Sequence, residues 1–153
     1  MVTISEIQGN EDNYNWWLTI IPDVMYNLKL LPKNVSSKLD YSVESLNVLE
    51  LYIIENYTIE ELNLSKYKTV VDLFSRYIGE TFRKNIKDTI WEMEKRKDYF
   101  GYGFPNINKR DGIPFTKEFP HTLVFSVIAN AAKSGIYKTG EYLSSILKYI
   151  MSE

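Results

Sequence analysis

Between Ser65 and Ile86 the chain keeps one period without a break. In SKYKTVVDLFSRYIGETFRKNI, at about 100° per residue, Val70, Val71, Phe74, Tyr77, Ile78 and Phe82 fall within one arc of a helix. Asp72, Arg76, Glu80 and Arg83 fall on the opposite arc. A face with that much aromatic and branched bulk belongs in a core, so the rest of the chain must pack against this helix. Ser65 is placed to cap its start, because a hydroxyl there can accept an unpaired backbone N–H. Arg83, Lys84 and Lys87 crowd its far end, where positive charge suits the helix dipole.

Two features of the helix go beyond a simple amphipathic rod. Gly79 sits in its interior, where glycine costs about 1 kcal/mol relative to alanine. Such a position implies that another backbone or a large ring crosses closely, and Trp91 is the candidate. The row Asp72, Arg76, Glu80 and Arg83 or Lys84 alternates in sign at three- and four-residue steps. It reads either as a solvated ladder of ion pairs or, with Arg76 and Glu80 flanking Gly79, as a partly covered polar site.

The remaining chain supplies the packing partners. Residues 1–12 form a polar lead-in. Leu18, Ile21, Val24, Met25 and Leu28 recur at helical steps, and Pro22 marks either a kink or, as preferred here, the first turn of a helix over about 21–31 that Pro32 ends. A second helix is expected over roughly 42–56, with Ser42 or Asp40 as its cap and Leu46, Leu49, Ile53 and Ile54 inward. After Ile86 the period drops to two. Ile90 and Glu92 oppose Trp91 and Met93, as in a strand. Tyr99–Phe104 is expected to return as a second strand, with Gly101 and Gly103 marking a bulge or a close backbone approach. The Asp111-Gly112 pair predicts a turn into a short third strand over 113–115. Pro120 opens a helix over 121–132 that Ser134-Gly135 stops, and a last helix follows Gly140 through Tyr149. The expected fold is α+β, a single domain of helices flanking a small, mostly antiparallel three-stranded sheet.

Composition narrows the function classes. At 153 residues the chain is long enough for one proper core, and its hydrophobic and charged fractions, 44% and 25%, are ordinary. A net charge of −2 gives no footprint for nucleic acid or an anionic membrane. The absence of cysteine removes disulfides, thiolate catalysis and zinc–thiolate sites together. The start lacks the basic region of a secretory signal, and the apolar run at Trp16–Ile21 is too short to span a bilayer. A cytoplasmic location is expected, with no membrane contact. The 12 tyrosines stand out, but abundant Ile, Lys and Asn point to the coding bias of an AT-rich bacterial genome.

Catalytic constellations are hard to assemble from these residues. His121 is the only histidine, and beside Pro120 it reads as a cap or packing residue. Glu60-Glu61 and Glu92/Glu94 are the close acidic pairs and read as solvated faces, so no metal is expected, and no cofactor. Gly101-Tyr102-Gly103-Phe104 lacks the third glycine and the following helix of a dinucleotide loop. The run Lys95-Arg96-Lys97 before Tyr99, Phe100, Tyr102 and Phe104 interleaves charge with aromatics, as single-strand nucleic-acid binders do. Glu92 and Glu94 offset it. Trp16 and Trp17 are candidate anchors for a protein partner, with burial in the core expected for at least one of the two, and Tyr99 and Tyr102 are candidates as well.

Leu39-Asp40-Tyr41-Ser42-Val43-Glu44-Ser45-Leu46, then Arg76-Tyr77-Ile78-Gly79-Glu80, then Trp91 resembles a pattern found in small bacterial proteins, some of them similar to immunity proteins of polymorphic toxin systems. The resemblance covers about residues 39–91. It brings no catalytic residues. It implies a protein-binding, non-enzymatic domain with a toxin domain as partner, and makes Gly79, Glu80 and Trp91 a structural joint where helix meets sheet. A small hydrolase or transferase using Arg76 and Glu80, and a single-strand nucleic-acid binder, are the alternatives.

Overall fold

The computed structural model describes residues 2–133 and 137–153. Among them the chain forms helices α1 (Glu11–Thr19), α2 (Ile21–Tyr26), α3 (Lys33–Ser36), α4 (Ser45–Asn56), α5 (Ile59–Leu62) and α6 (Lys68–Asn85). Strands β1 (Thr89–Met93) and β2 (Pro105–Lys109) follow, then α7 (Pro120–Ala132) and α8 (Tyr142–Met151). The class is α+β, with helices around one small antiparallel sheet. No described helix is long and apolar enough to cross a membrane.

The mid-chain helix α6 is the axis of the structure. Its apolar arc packs on α4, α7 and the sheet, and its polar arc is covered as well. Every residue from Val71 to Phe82 is buried. The solvated ladder is therefore overturned: the N-terminal segment and α1 lie over the charged row. Residues 1–12 are accordingly more than a polar lead-in, since Thr3, Ile4 and Ile7 are core residues. Ser65 does not cap α6. It opens a separate 3-10 turn, Ser65–Tyr67, and makes no side-chain cap bond there.

Pro22 separates two helices. It sits in the first turn of α2, as expected, and α1 precedes it as a helix of its own, capped by the Asn10 side chain on the Asn13 N–H. After Tyr26 the path tightens into a 3-10 turn, Asn27–Leu30, and ends before Pro32. Neither cap candidate sits at the cap of α4, which starts at Ser45 after Glu44 with no side-chain cap bond; the two instead fix the turn that leads into it. Asp40 accepts the Ser42 N–H, and Ser42 accepts the Ser45 N–H.

The sheet has two strands, not three. Thr89 pairs with Lys109, Trp91 with Ile107 and Met93 with Pro105. The returning strand begins at Pro105, not at Tyr99. Residues 95–104 form turns, in which Tyr99 bonds to the Arg96 carbonyl, Tyr102 to the Tyr99 carbonyl and Gly103 takes φ +83°. The Asp111-Gly112 signal does produce a turn with both residues at positive φ. No strand follows it, because Pro114 has no N–H to give a ladder. The third position is filled by a lone bridge, Ile107 with Glu118.

The C-terminal helices close the core. The buried side chains form one cluster reaching from Ile4 through α6 to Leu147. Pro120 opens α7 as expected, while the Ser134-Gly135 stop lies outside the described residues. The start of α8 is held by a buried carboxylate from another helix. Glu50 on α4 accepts the N–H groups of Gly140, Tyr142 and Leu143 at 2.8, 3.1 and 2.9 Å. Burial pushes this carboxyl up, against the pull of the three N–H bonds.

Candidate functional site

The charged row of α6 is a closed network. Asp72 accepts the Ile4 N–H at 2.7 Å and the Trp17 indole N–H at 2.8 Å on one oxygen, and Arg76 Nε at 2.8 Å on the other. Arg76 then gives Nη1 to the Trp17 carbonyl at 2.6 Å and Nη2 to the Val2 carbonyl at 3.1 Å. Its guanidinium lies 4.3 Å from the Trp17 ring centroid. Burial pushes the Asp72 carboxyl up and the Arg76 guanidinium down, and the attraction between the two opposes both shifts. Such an ion pair is bonded to its own backbone on every side and has little left to offer a substrate.

One turn further on the pattern repeats with a second indole. Trp91 Nε1 donates to Glu80 at 2.8 Å, and Arg83 gives Nε and Nη2 to the same carboxylate at 2.8 and 3.1 Å. Burial alone would push Glu80 up; the bonds from Arg83 and Trp91 and the charges of Arg83 and Lys84 outweigh it and hold the carboxyl below its usual range. The six-membered ring of Trp91 fills the space that a side chain at Gly79 would need. Trp17 and Trp91 meet edge to face at 5.0 Å. Trp17 is thus a buried structural residue and not an anchor on the surface: of the two tryptophans it is the one that enters the core, as expected for at least one of them.

Trp16 is the exposed member of the pair, at 55%. It borders a shallow hollow with Ile20, Asp23, Val24 and Asn27 at the elbow between α1 and α2. Tyr99 and Tyr102 lie elsewhere, on the 95–104 loop. That loop is fixed by backbone. Gly103 N bonds to Glu94 O at 2.8 Å, Glu94 N to Phe104 O at 3.0 Å and Gly9 N to Gly103 O at 3.1 Å. Gly103 carries no side chain because the Gln8–Gly9 backbone passes against it. Gly101 likewise leaves room for the Phe119 ring. Tyr99 is half-buried beneath Arg96 and Lys117, while Tyr102 leans on Gly9. At the tip Phe100 is 76% exposed, propped by the rings of Tyr99 and Phe119 at 4.8 and 5.3 Å.

Beside this loop, between β1 and the start of α1, lies a cleft of about 390 Å³. Tyr14 and Trp91 give it ring surface; Glu92 and Glu94 face Lys95, Arg96 and Lys117 around it. Burial and then the charge of Glu92 push the Tyr14 hydroxyl up to about 12. Most of the cations are paired. Lys117 bonds to both oxygens of Glu94 at 2.7 and 3.1 Å, Lys95 stands 3.9 Å from Glu11 and Arg96 3.5 Å from Asp98. The Glu92/Glu94 pair is therefore no solvated face: Glu94 is buried and neutralised. Tyr14 and Lys117 had no distinguishing signal in the sequence, since each depends on which loop faces which helix.

His121 stacks on Phe104 at 5.0 Å and sits 5.5 Å from the Phe125 ring, and burial pushes its imidazole down. No group of three or more His, Cys, Asp or Glu side chains is arranged to hold a metal among the described residues. No protein family, no curated protein and no solved structure matches the chain.

Proposed function

We propose that this chain is a non-enzymatic protein-binding domain and, within that class, an immunity protein that binds and neutralises a cognate bacterial toxin in the cytoplasm. The observation that carries the reading is Phe100. A large apolar ring stands 76% exposed at the tip of a loop whose backbone is tied down at Gly103, Glu94 and Gly9. A fixed loop loses little entropy on association, and exposed aromatics on such scaffolds supply much of the energy of protein interfaces. Tyr102 beside it and Trp16 at the α1–α2 elbow offer further aromatic contact.

The hydrolase or transferase alternative required Arg76 and Glu80 together in a concave, partly covered polar site beside Gly79. Both are buried and bonded within their own chain. The nucleic-acid alternative required free cations along the run Lys95-Arg96-Lys97; Lys95 and Arg96 each have an acidic neighbour, which leaves Lys97 as the one member of the run with no ion pair among the described residues. Neither retains a specific observation in its favour.

Co-expression with the product of the adjacent reading frame, followed by purification on a tag carried by this chain, tests the proposal. The expected result is a stable complex that Phe100→Ala weakens at least tenfold, together with protection of cells from the partner. A chain that retains no partner and protects against nothing overturns it.

A further inference from the structure

The first 28 residues carry four acidic side chains, Glu6, Glu11, Asp12 and Asp23, and no Lys, Arg or His. Two of the four meet a cation from elsewhere in the fold: Glu6 stands 3.7 Å from Lys68 and Glu11 stands 3.9 Å from Lys95. Asp12 and Asp23 are exposed, and among the described residues neither is in an ion pair. The charge that the fold leaves unbalanced on α1 and α2 is therefore negative.

These two carboxylates flank one ring. Asp12 is four residues before Trp16 on α1, which makes the two side chains neighbours on the helix surface. Asp23 lines the same hollow as Trp16, at the elbow where α1 gives way to α2. Ile20, Val24 and Asn27 complete the lining, and no cation is among them. Each aspartate also stands in the first turn of its helix, where a carboxylate suits the dipole. That role accounts for the acids but not for the indole between them, which is 55% exposed while Trp17 beside it is fully buried.

We propose that the elbow hollow receives a basic side chain of the protein partner, the guanidinium of an arginine or the ammonium of a lysine, laid against Trp16. That a partner supplies the cation rests on the protein-binding reading; the affinity of the hollow for a cation does not. Indole is the best of the aromatic faces for a cation, which needs only to lie within about 6 Å of the ring centre. Asp12 and Asp23 supply the complementary charge, and the Asn27 Oδ1 can accept one N–H. Ile20 and Val24 suit the methylene stem that carries the cation. The hollow, about 270 Å³, is large enough for one such side chain. The same acids repel phosphate, so an anionic membrane and a nucleic acid are poor occupants of this face.

The test uses the full chain, first in the complex captured by co-expression. Trp16→Leu keeps an apolar side chain but removes the ring, and is expected to weaken that complex at least tenfold; Trp16→Phe is expected to weaken it far less. Asp12→Asn combined with Asp23→Asn is expected to cost at least tenfold at low ionic strength and to flatten the dependence of affinity on salt. A second arm needs no partner. An acetylated and amidated Gly-Arg-Gly-Arg-Gly peptide and its neutral citrulline counterpart are titrated at low salt, followed by NMR at the Trp16 indole N–H. The expected result is a saturable shift with the arginine peptide, at least tenfold weaker binding of the citrulline peptide, and loss of the shift in the double aspartate variant with its circular dichroism spectrum unchanged. Absence of a saturable shift, or equal binding of the two peptides, overturns the proposal. If a partner is captured and neither the Trp16 nor the aspartate variants change its affinity, the elbow inference falls and the protein-binding reading stands. If no partner is captured but the arginine peptide binds as described, the protein-binding reading falls and the cation site stands.

Discussion

The Trp91 ring occupies the volume that a Cβ on Gly79 would take, while its indole N–H bonds to Glu80 one residue on. The glycine thus lets β1 and α6 approach closely enough for that bond. Gly79→Ala brings a helix-propensity gain of about 1 kcal/mol. It also forces an overlap whose cost in a packed core is about 3 kcal/mol. The expected net loss is about 2 kcal/mol, read from urea denaturation. Trp91→Phe in the same chain shortens the ring and relieves the overlap. The two substitutions are therefore expected to couple by at least about 1 kcal/mol in a double-mutant cycle.

Arg76→Met leaves the Asp72 carboxylate buried with no counter-charge. Breaking a buried pair from one side costs about 3–5 kcal/mol, so a large fall in Tm is expected. The double variant Asp72→Leu with Arg76→Met removes both charges but recovers only part of the loss. The Ile4 N–H, the Trp17 indole and the Val2 and Trp17 carbonyls would all lose their partners. Full recovery in thermal melts would show that those backbone bonds contribute nothing.

The period of α6 was legible because its apolar arc is continuous, and Gly79 could be paired with Trp91 because glycine in a helix interior asks for a bulky neighbour. The fate of the polar arc was not legible. Asp72 and Arg76 have the spacing of a solvated pair, and only the fold-back of Ile4 and Trp17 buries them. Alternation marked β1 correctly, because one face of it is buried and the other is not. It failed at Tyr99–Phe104, where the aromatics serve a loop and the glycines admit the Gly9 backbone and the Phe119 ring. Phe100 and Trp16 remained exposed for reasons of tertiary placement that no local pattern carries.

Glu50 joins two helices far apart in the sequence, and its loss should be felt at one of them. Glu50→Ala removes the acceptor of three N–H groups at the start of α8 and leaves them in a buried place. A lost cap costs roughly 1–2 kcal/mol. The expected signature is local: amide exchange accelerates over 140–151, while the amides of α6 between Phe74 and Phe82 keep their protection. Uniform acceleration across both would mean that α8 is part of the globally cooperative unit.

Glu118 gives stability a pH dependence of known sign. Burial raises its carboxyl from the ordinary 4.5 to about 7. Between those values the folded chain holds a proton at Glu118 that the unfolded chain has released, so this group lowers stability as pH rises through the window. Below 4.5 both states are protonated and the group contributes nothing; above 7 the full penalty is present. Glu118→Gln keeps the shape and abolishes the charge. The variant should match the wild type near pH 4 and exceed it by about 3 kcal/mol at pH 8. Glu80 acts in the opposite direction, since its carboxyl is held low and its contribution is lost only as pH falls through that lowered value. Because Glu80 is common to both proteins, it cancels in the difference between the two denaturation series. A difference that is flat from pH 4 to 8 would place the Glu118 carboxylate in water.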